Sequence, residues 1–167
     1  MLAVWSWFTF WLIGHILLVI VAFGPVFAFP GIAAMARKDP AHAVAYTRVI
    51  DFIEHRMTIP LALLVPFFGV GLIYSAHIDL WKSGWLVASI ILFTAAIFFA
   101  IFVQSPNSKR MLHAMEQMPP GPPPPGAQPP PEIVALGRKL QLGGMYLTIS
   151  VVIIAILMIW RPGNTIT

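Results

Sequence analysis

The chain has 167 residues, of which 59% are hydrophobic and only 10% charged, and its mean hydropathy is +0.85. That is too few charges to clothe a soluble domain of this size, so the composition excludes a soluble globular fold and indicates a single integral membrane domain, residues 1–167. The formal net charge of +4 does not point to nucleic acid, because the basic residues lie in short loops without interleaved aromatics and suit anionic lipid headgroups better; the absence of cysteine excludes disulfides, thiolate metal sites, iron–sulfur clusters and covalent haem attachment.

In lipid, backbone hydrogen bonds must be satisfied internally, which predicts an all-α fold, and each crossing needs about 20 apolar residues. The first such stretch spans about residues 5–29, from Trp5 to Phe29, with His15 as its one ionisable residue. No basic region precedes it and it is about twice the length of a signal-peptide core, so it reads as a retained span. After Pro30 and Gly31, the pair Asp39-Pro40 suits a helix start, and Ala41, Val44, Ala45, Val49, Phe52 and Ile53 recur at helical spacing. This predicts a short amphipathic helix on the cytoplasmic surface, closed against the headgroups by Glu54, His55 and Arg56.

A second span covers about 58–77. The connection from Ile78 to Gly84 allows only an antiparallel turn, which predicts that the second span neighbours the third, at about 85–105. Beyond it, Met111, His113, Met115 and Met118 have a composition suited to Cu(I), although positions 111, 115 and 118 share one helical face, as in an amphipathic segment lying on lipid. The Pro-rich loop 119–131 holds nine prolines in thirteen residues and reads as a polyproline tether rather than a folded unit. Ile133, Val134, Leu136 and Leu140 then suggest a short helix leading into a fourth span at about 142–160.

Eight basic residues, Arg37, Lys38, Arg48, Arg56, Lys109, Arg110, Arg138 and Lys139, flank the first and third connections, against Lys82 and Arg161 on the other side. The positive-inside rule therefore makes those loops cytoplasmic and both termini periplasmic, in a bacterial inner membrane. Trp5, Trp7, Trp11, Trp81, Trp85 and Trp160 then gather at the outer face as an aromatic belt.

An ionisable side chain within a span is a functional candidate. Counting along the helices puts His15 near the level of Thr94 and Ser150, with Phe8, Trp11, Leu18 and Ala22 as an apolar wall. The imidazole could make an interhelical hydrogen bond, serve as an axial ligand to haem b or in a quinone site, or relay protons. His55 and His77 are displaced from it by roughly 14 to 20 Å at about 1.5 Å per residue, so neither could share its iron within one chain, whereas a homodimer could pair two copies of His15. No span carries a carboxylate and no hydrolase or phosphate-binding motif occurs.

Several landmarks lie together: His15 followed by Gly24, Pro25 and Pro30; Arg56-Met57-Thr58-Ile59-Pro60 opening the second span, with Gly69 and Gly71 beyond; Gly84-Trp85-Leu86; and Trp160-Arg161-Pro162-Gly163. In these the chain resembles an uncharacterised bacterial four-span integral membrane family and, more distantly, the membrane protoporphyrinogen oxidase of bacterial haem synthesis and the copper-resistance membrane proteins. In the oxidase family a first-span histidine and a lysine just after Gly-Trp-Leu are associated with haem and catalysis. His15 matches the first, but Ser89 stands at the lysine position and cannot replace it as a base, so the resemblance carries over His15 alone.

The sequence thus reads as a four-helix transmembrane bundle acting as a non-catalytic structural or accessory subunit, with the bilayer and other membrane subunits or a second copy as partners. The alternatives are a haem b-binding redox protein using His15 and a tetrapyrrole oxidase.

Overall fold

In a computed structural model, residues 6–119 and 128–162 are described; Trp5, Gly163 and most of the Pro-rich loop, 120–127, lie outside them. The described chain is all-α, with four long helices, Trp7–Lys38, Pro40–Ser75, Gly84–Glu116 and Pro131–Trp160, each containing a stretch of mean hydropathy between 2.0 and 2.8. At 30 to 36 residues, they extend about 45 to 54 Å, well beyond a hydrocarbon core of about 30 Å. Each can cross a bilayer and still project. Most of the surplus length lies at the end carrying Arg37, Arg48 and Arg138, here called the basic end; the opposite one is the tryptophan end.

Proline shapes three of these helices. The first consists of α1 (Trp7–Phe23), a 3₁₀ turn over Gly24–Ala28 and α2 (Phe29–Lys38). Pro25 has no N–H for the carbonyl four residues back, and the chain tightens there. The second comprises a short 3₁₀ turn, α3 (Ala43–Ile53), a π turn over Glu54–Thr58 and α4 (Ile59–Ser75); the third comprises α5 (Gly84–Phe99), a π turn over Ala100–Gln104 and α6 (Ser105–Glu116). Each π turn ends two residues before a proline, Pro60 or Pro106, whose missing donor frees a carbonyl and lets the ladder widen by one residue. The fourth helix, α7 (Pro131–Trp160), is continuous, so the short helix expected before the last span is its first three turns.

Small residues decide which helices meet. α1 packs along α4, with Gly14 beneath the Phe68 ring and Gly71 beneath the Trp11 indole; α5 packs along α7, where Gly143 lies beneath Phe99 and Gln104. A β-carbon at any of these glycines would collide with its neighbour. Such close backbone approach drives helix association where lipid removes the hydrophobic incentive. The expected adjacency of the second and third spans is not found, because α4 and α5 barely touch along their length. The short connection ties only their ends, while the glycines of α4 face α1.

The amphipathic segment after the first span forms as α3, but as a coaxial extension of the second span and not as a helix lying flat on headgroups. It packs on α2 and α6, with Ala43 buried, while Val49 and Phe52 of its apolar pattern stay exposed. Thr47 reaches Met115 Sδ at 3.4 Å, and Arg48 Nη2 donates to Glu116 Oε1 at 2.6 Å. The α1/α4 and α5/α7 pairs are thus joined at the basic end. Between them, from Phe8 near the tryptophan end to Arg37 at the basic end, lies a largely apolar chamber of about 2410 Å³. It is an open cleft between the helix pairs and not an enclosed void.

Candidate functional site

His15 sits where two faces of α1 meet. Phe8, Leu12 and Val19, at spacings of seven, three and four from it, line the chamber, and His15 lines it with them. On the other side Trp11 turns into the α4 seam and Ala22 is fully buried. Of the wall expected from sequence, Phe8 belongs to the chamber, whereas Trp11, Leu18 and Ala22 do not line it. Helical spacing shows which residues share a face but not which neighbour that face meets.

The ring lies over Gly69 of α4: a β-carbon there would stand 3.6 Å from Cε1 and 3.8 Å from Nδ1. Glycine lets the imidazole approach the α4 backbone on that edge. Nδ1 is buried without a hydrogen-bond partner among the described residues. The hydroxyls expected near its level are committed elsewhere. Thr94 Oγ1 donates to the Ile90 carbonyl and Ser150 Oγ to the Tyr146 carbonyl, both at 2.8 Å. Ser89 is 1% exposed and donates to the Trp85 carbonyl at 2.8 Å.

A second cluster, not recognised from sequence, lies where the two π turns face each other. His55 Nδ1 donates to the Asp51 carbonyl at 3.0 Å, with the Asp51 carboxylate at 3.1 Å, and Nε2 is hydrogen-bonded to the Ser105 hydroxyl at 2.7 Å. Glu54 is only 7% exposed and lines the chamber with Thr58, Gln104 and Ser108. Of the three residues expected to close α3 against headgroups, only Arg56 is exposed. The signal was available in the matching prolines, Pro60 and Pro106, which place a π turn at the same level of both helices.

The Met-rich segment does not converge on a metal site. Met111, Met115 and Met118 line the chamber, whereas His113 is exposed and its Nε2 lies 2.9 Å from Gln117 Nε2. Among the described residues no group of three or more His, Cys, Asp or Glu side chains is arranged to hold a metal ion. The tryptophans divide as well. Trp7, Trp81 and Trp160 are strongly exposed, Trp81 to 92%, as interfacial anchors must be, while Trp85 is buried beneath the Arg161 guanidinium, 5.4 Å from the ring centroid.

Among the described residues, the structure offers a largely apolar chamber running along most of the length of the helix pairs, with the His15 imidazole on its wall and arginines at its ends. The chain is a multi-pass membrane protein by the length and hydropathy of its four helices. Neither the curated proteins nor the solved structures contain a match. The profile of the family described as "Predicted integral membrane protein (DUF2269)" matches residues 9–162, nearly the whole chain and all four long helices, and the protein belongs to that family.

Proposed function

We propose that the protein is a non-catalytic inner-membrane component that holds a membrane-dissolved ligand between its helix pairs, and that haem b bound through His15 is the cofactor its site suits. The observation that carries this reading is the position of His15, on the chamber wall with Nδ1 buried and unpartnered. Neutral imidazole is a natural iron ligand, and the apolar walls suit a tetrapyrrole face. Bound there, haem would supply one-electron redox chemistry. The ring also meets the Val65 backbone of α4, a contact that a packing role would use, so the spectrum of the bound cofactor is what separates the two roles.

The oxidase alternative finds no support at Ser89, whose hydroxyl is tied to the Trp85 carbonyl and carries no basic group. The orientation, with the basic end cytoplasmic and both termini periplasmic, follows the charge bias of the loops and is part of the proposal. Protein purified in mild detergent from haem-replete cells should show a Soret band and a reduced-minus-oxidised difference spectrum, both lost in His15→Ala. A wild-type sample without a Soret band refutes the haem assignment. Gentle extraction should recover the chain in a larger assembly; a monomer with activity of its own refutes the accessory role, and a tag at Thr167 reached from the cytoplasm refutes the orientation.

A further inference from the structure

The charges on the chamber wall are unevenly placed. Four arginines line it, Arg37, Arg48 and Arg138 at the basic end and Arg161 at the other, with Glu54 and Glu116 as the acids. Two of the cations are occupied: Arg48 by Glu116 at 2.6 Å and Arg161 by the Trp85 ring. Arg37 and Arg138 are exposed, come from α2 and α7 on opposite helix pairs, and have no carboxylate within ion-pair distance among the described residues. Glu54 lies deeper, in the joint with Ser108. Lys38 and Lys139, their sequence neighbours, do not line the chamber.

We infer that the chamber binds one anionic phospholipid, its acyl chains between the helix pairs and its headgroup at the basic end, where Arg37 and Arg138 are the lining cations without an acidic partner among the described residues. Three features choose this occupant. The walls are apolar over most of their length, matching acyl chains and not a polar solute. The unneutralised charge lies at one end, where a headgroup would sit, and guanidinium binds phosphate with two parallel donors. The sparse contact between α4 and α5 leaves a side of the chamber open to the bilayer, so a lipid need not pass through water. Haem anchored on His15 would not use this pair, since Arg37 is 22 residues further along the same helix, about 33 Å. The inference rests on the chamber being a ligand site but not on haem being the ligand.

The test reconstitutes the full chain in nanodiscs of phosphatidylcholine with a minor fraction of phosphatidylglycerol, releases it into mild detergent and counts bound lipids by native mass spectrometry. The wild type should retain one phosphatidylglycerol and exclude phosphatidylcholine. Each basic group near a membrane surface is worth about a factor of five towards anionic lipid, so Arg37→Gln with Arg138→Gln should weaken retention about 25-fold. Lys38→Gln with Lys139→Gln removes the same charge from the same helices and should leave retention unchanged. Arg37→Lys with Arg138→Lys should restore most of it, which guards against a folding defect in the glutamine pair. Equal losses in the arginine and lysine variants, equal retention of phosphatidylcholine, or no retained lipid in the wild type each overturn the assignment. An excess of free inorganic phosphate that strips the lipid locates the contact at the headgroup; displacement by haem instead, with phosphate ineffective, overturns it. A missing Soret band alone leaves it standing.

Discussion

Replacing Gly71 with alanine tests whether the α1/α4 seam is as close as the structure makes it. The new methyl would enter the Trp11 indole at its fused ring edge, not at a flexible tip. The indole is held edge-to-face against Phe67 at 5.6 Å, Phe68 at 5.5 Å and Phe10 at 5.3 Å, so moving it disturbs all three contacts. Overpacking of this kind costs about 1 to 3 kcal/mol, and disturbing an aromatic pair adds about 0.5 to 1.5 kcal/mol. Alanine recovers about 1 kcal/mol of helix propensity. The net expectation is a loss of about 0.5 to 3.5 kcal/mol.

Gly144 provides the control, because it lies within α7 and a β-carbon there meets nothing within 4 Å. Gly144→Ala should therefore stabilise the protein by up to about 1 kcal/mol. The two variants should differ by about 0.5 to 4.5 kcal/mol, with Gly71→Ala always the less stable, or about 1 to 18 °C in thermal midpoint for a chain of this length. The assay is thermal unfolding in one detergent, followed by intrinsic tryptophan fluorescence and by loss of helical circular dichroism. Combining Gly71→Ala with Trp11→Ala identifies the cause, since removing the indole should abolish the penalty. If Gly71→Ala and Gly144→Ala shift the midpoint alike, or if the penalty survives in the Trp11→Ala background, the seam is not packed as described.

Two further outcomes follow. A double-mutant cycle on His55→Ala and Ser105→Ala should give a coupling of about 0.6 kcal/mol, with about 1.7 as the upper end for hydrogen bonds between membrane helices, and a coupling of zero would mean that the two π turns are not joined. In the connection between α4 and α5, a hydrogen bond from Lys82 holds the exposed Asp79 carboxyl below the ordinary carboxylate range, helped by the Trp81 amide at 3.1 Å. A carboxyl depressed in the folded state adds stability above its unfolded pKa and loses it as the pH falls through the folded one. Acid-induced loss of stability should therefore be slightly smaller in Asp79→Asn than in the wild type, and an identical acid profile refutes the contribution.

The four crossings were legible because hydropathy over some twenty residues is a sum, insensitive to any single contact. The extension of α3 was only half legible. Its periodicity at Val44, Val49 and Phe52 gives a helix with an apolar side, but Val49 and Phe52 stay exposed while Thr47 reaches Met115 of α6, so the pattern does not say which side meets a neighbour. His15 was conspicuous as an ionisable group in an apolar run. Three of the four residues of its expected wall were misassigned because residues at spacings of three and four lie on both sides of it, and only Gly14, Gly69 and Gly71 determine which side meets α4. The joint at His55 and Ser105 depends on two π turns, and a widened turn rotates every later side chain away from the position that simple counting gives it.

The same reasoning explains why the chamber exists at all. A short connection between the second and third spans suggests a hairpin packed along its length, yet loop length constrains only the two helix ends it joins. Along the rest, a membrane helix gains from a neighbour in proportion to how closely the backbones approach. Gly69 and Gly71 on α4 both face α1, and Gly143 on α7 lies against Phe99 of α5 and Gln104 of the adjoining π turn, so each helix meets its closest neighbour within its own pair. Across the gap stand Phe23 and Phe93, whose rings touch edge-to-face at 6.3 Å and hold the pairs apart at that level. The space left between the pairs is therefore set by where the glycines are. Moving close approach to the α4/α5 side would have to close the chamber around His15.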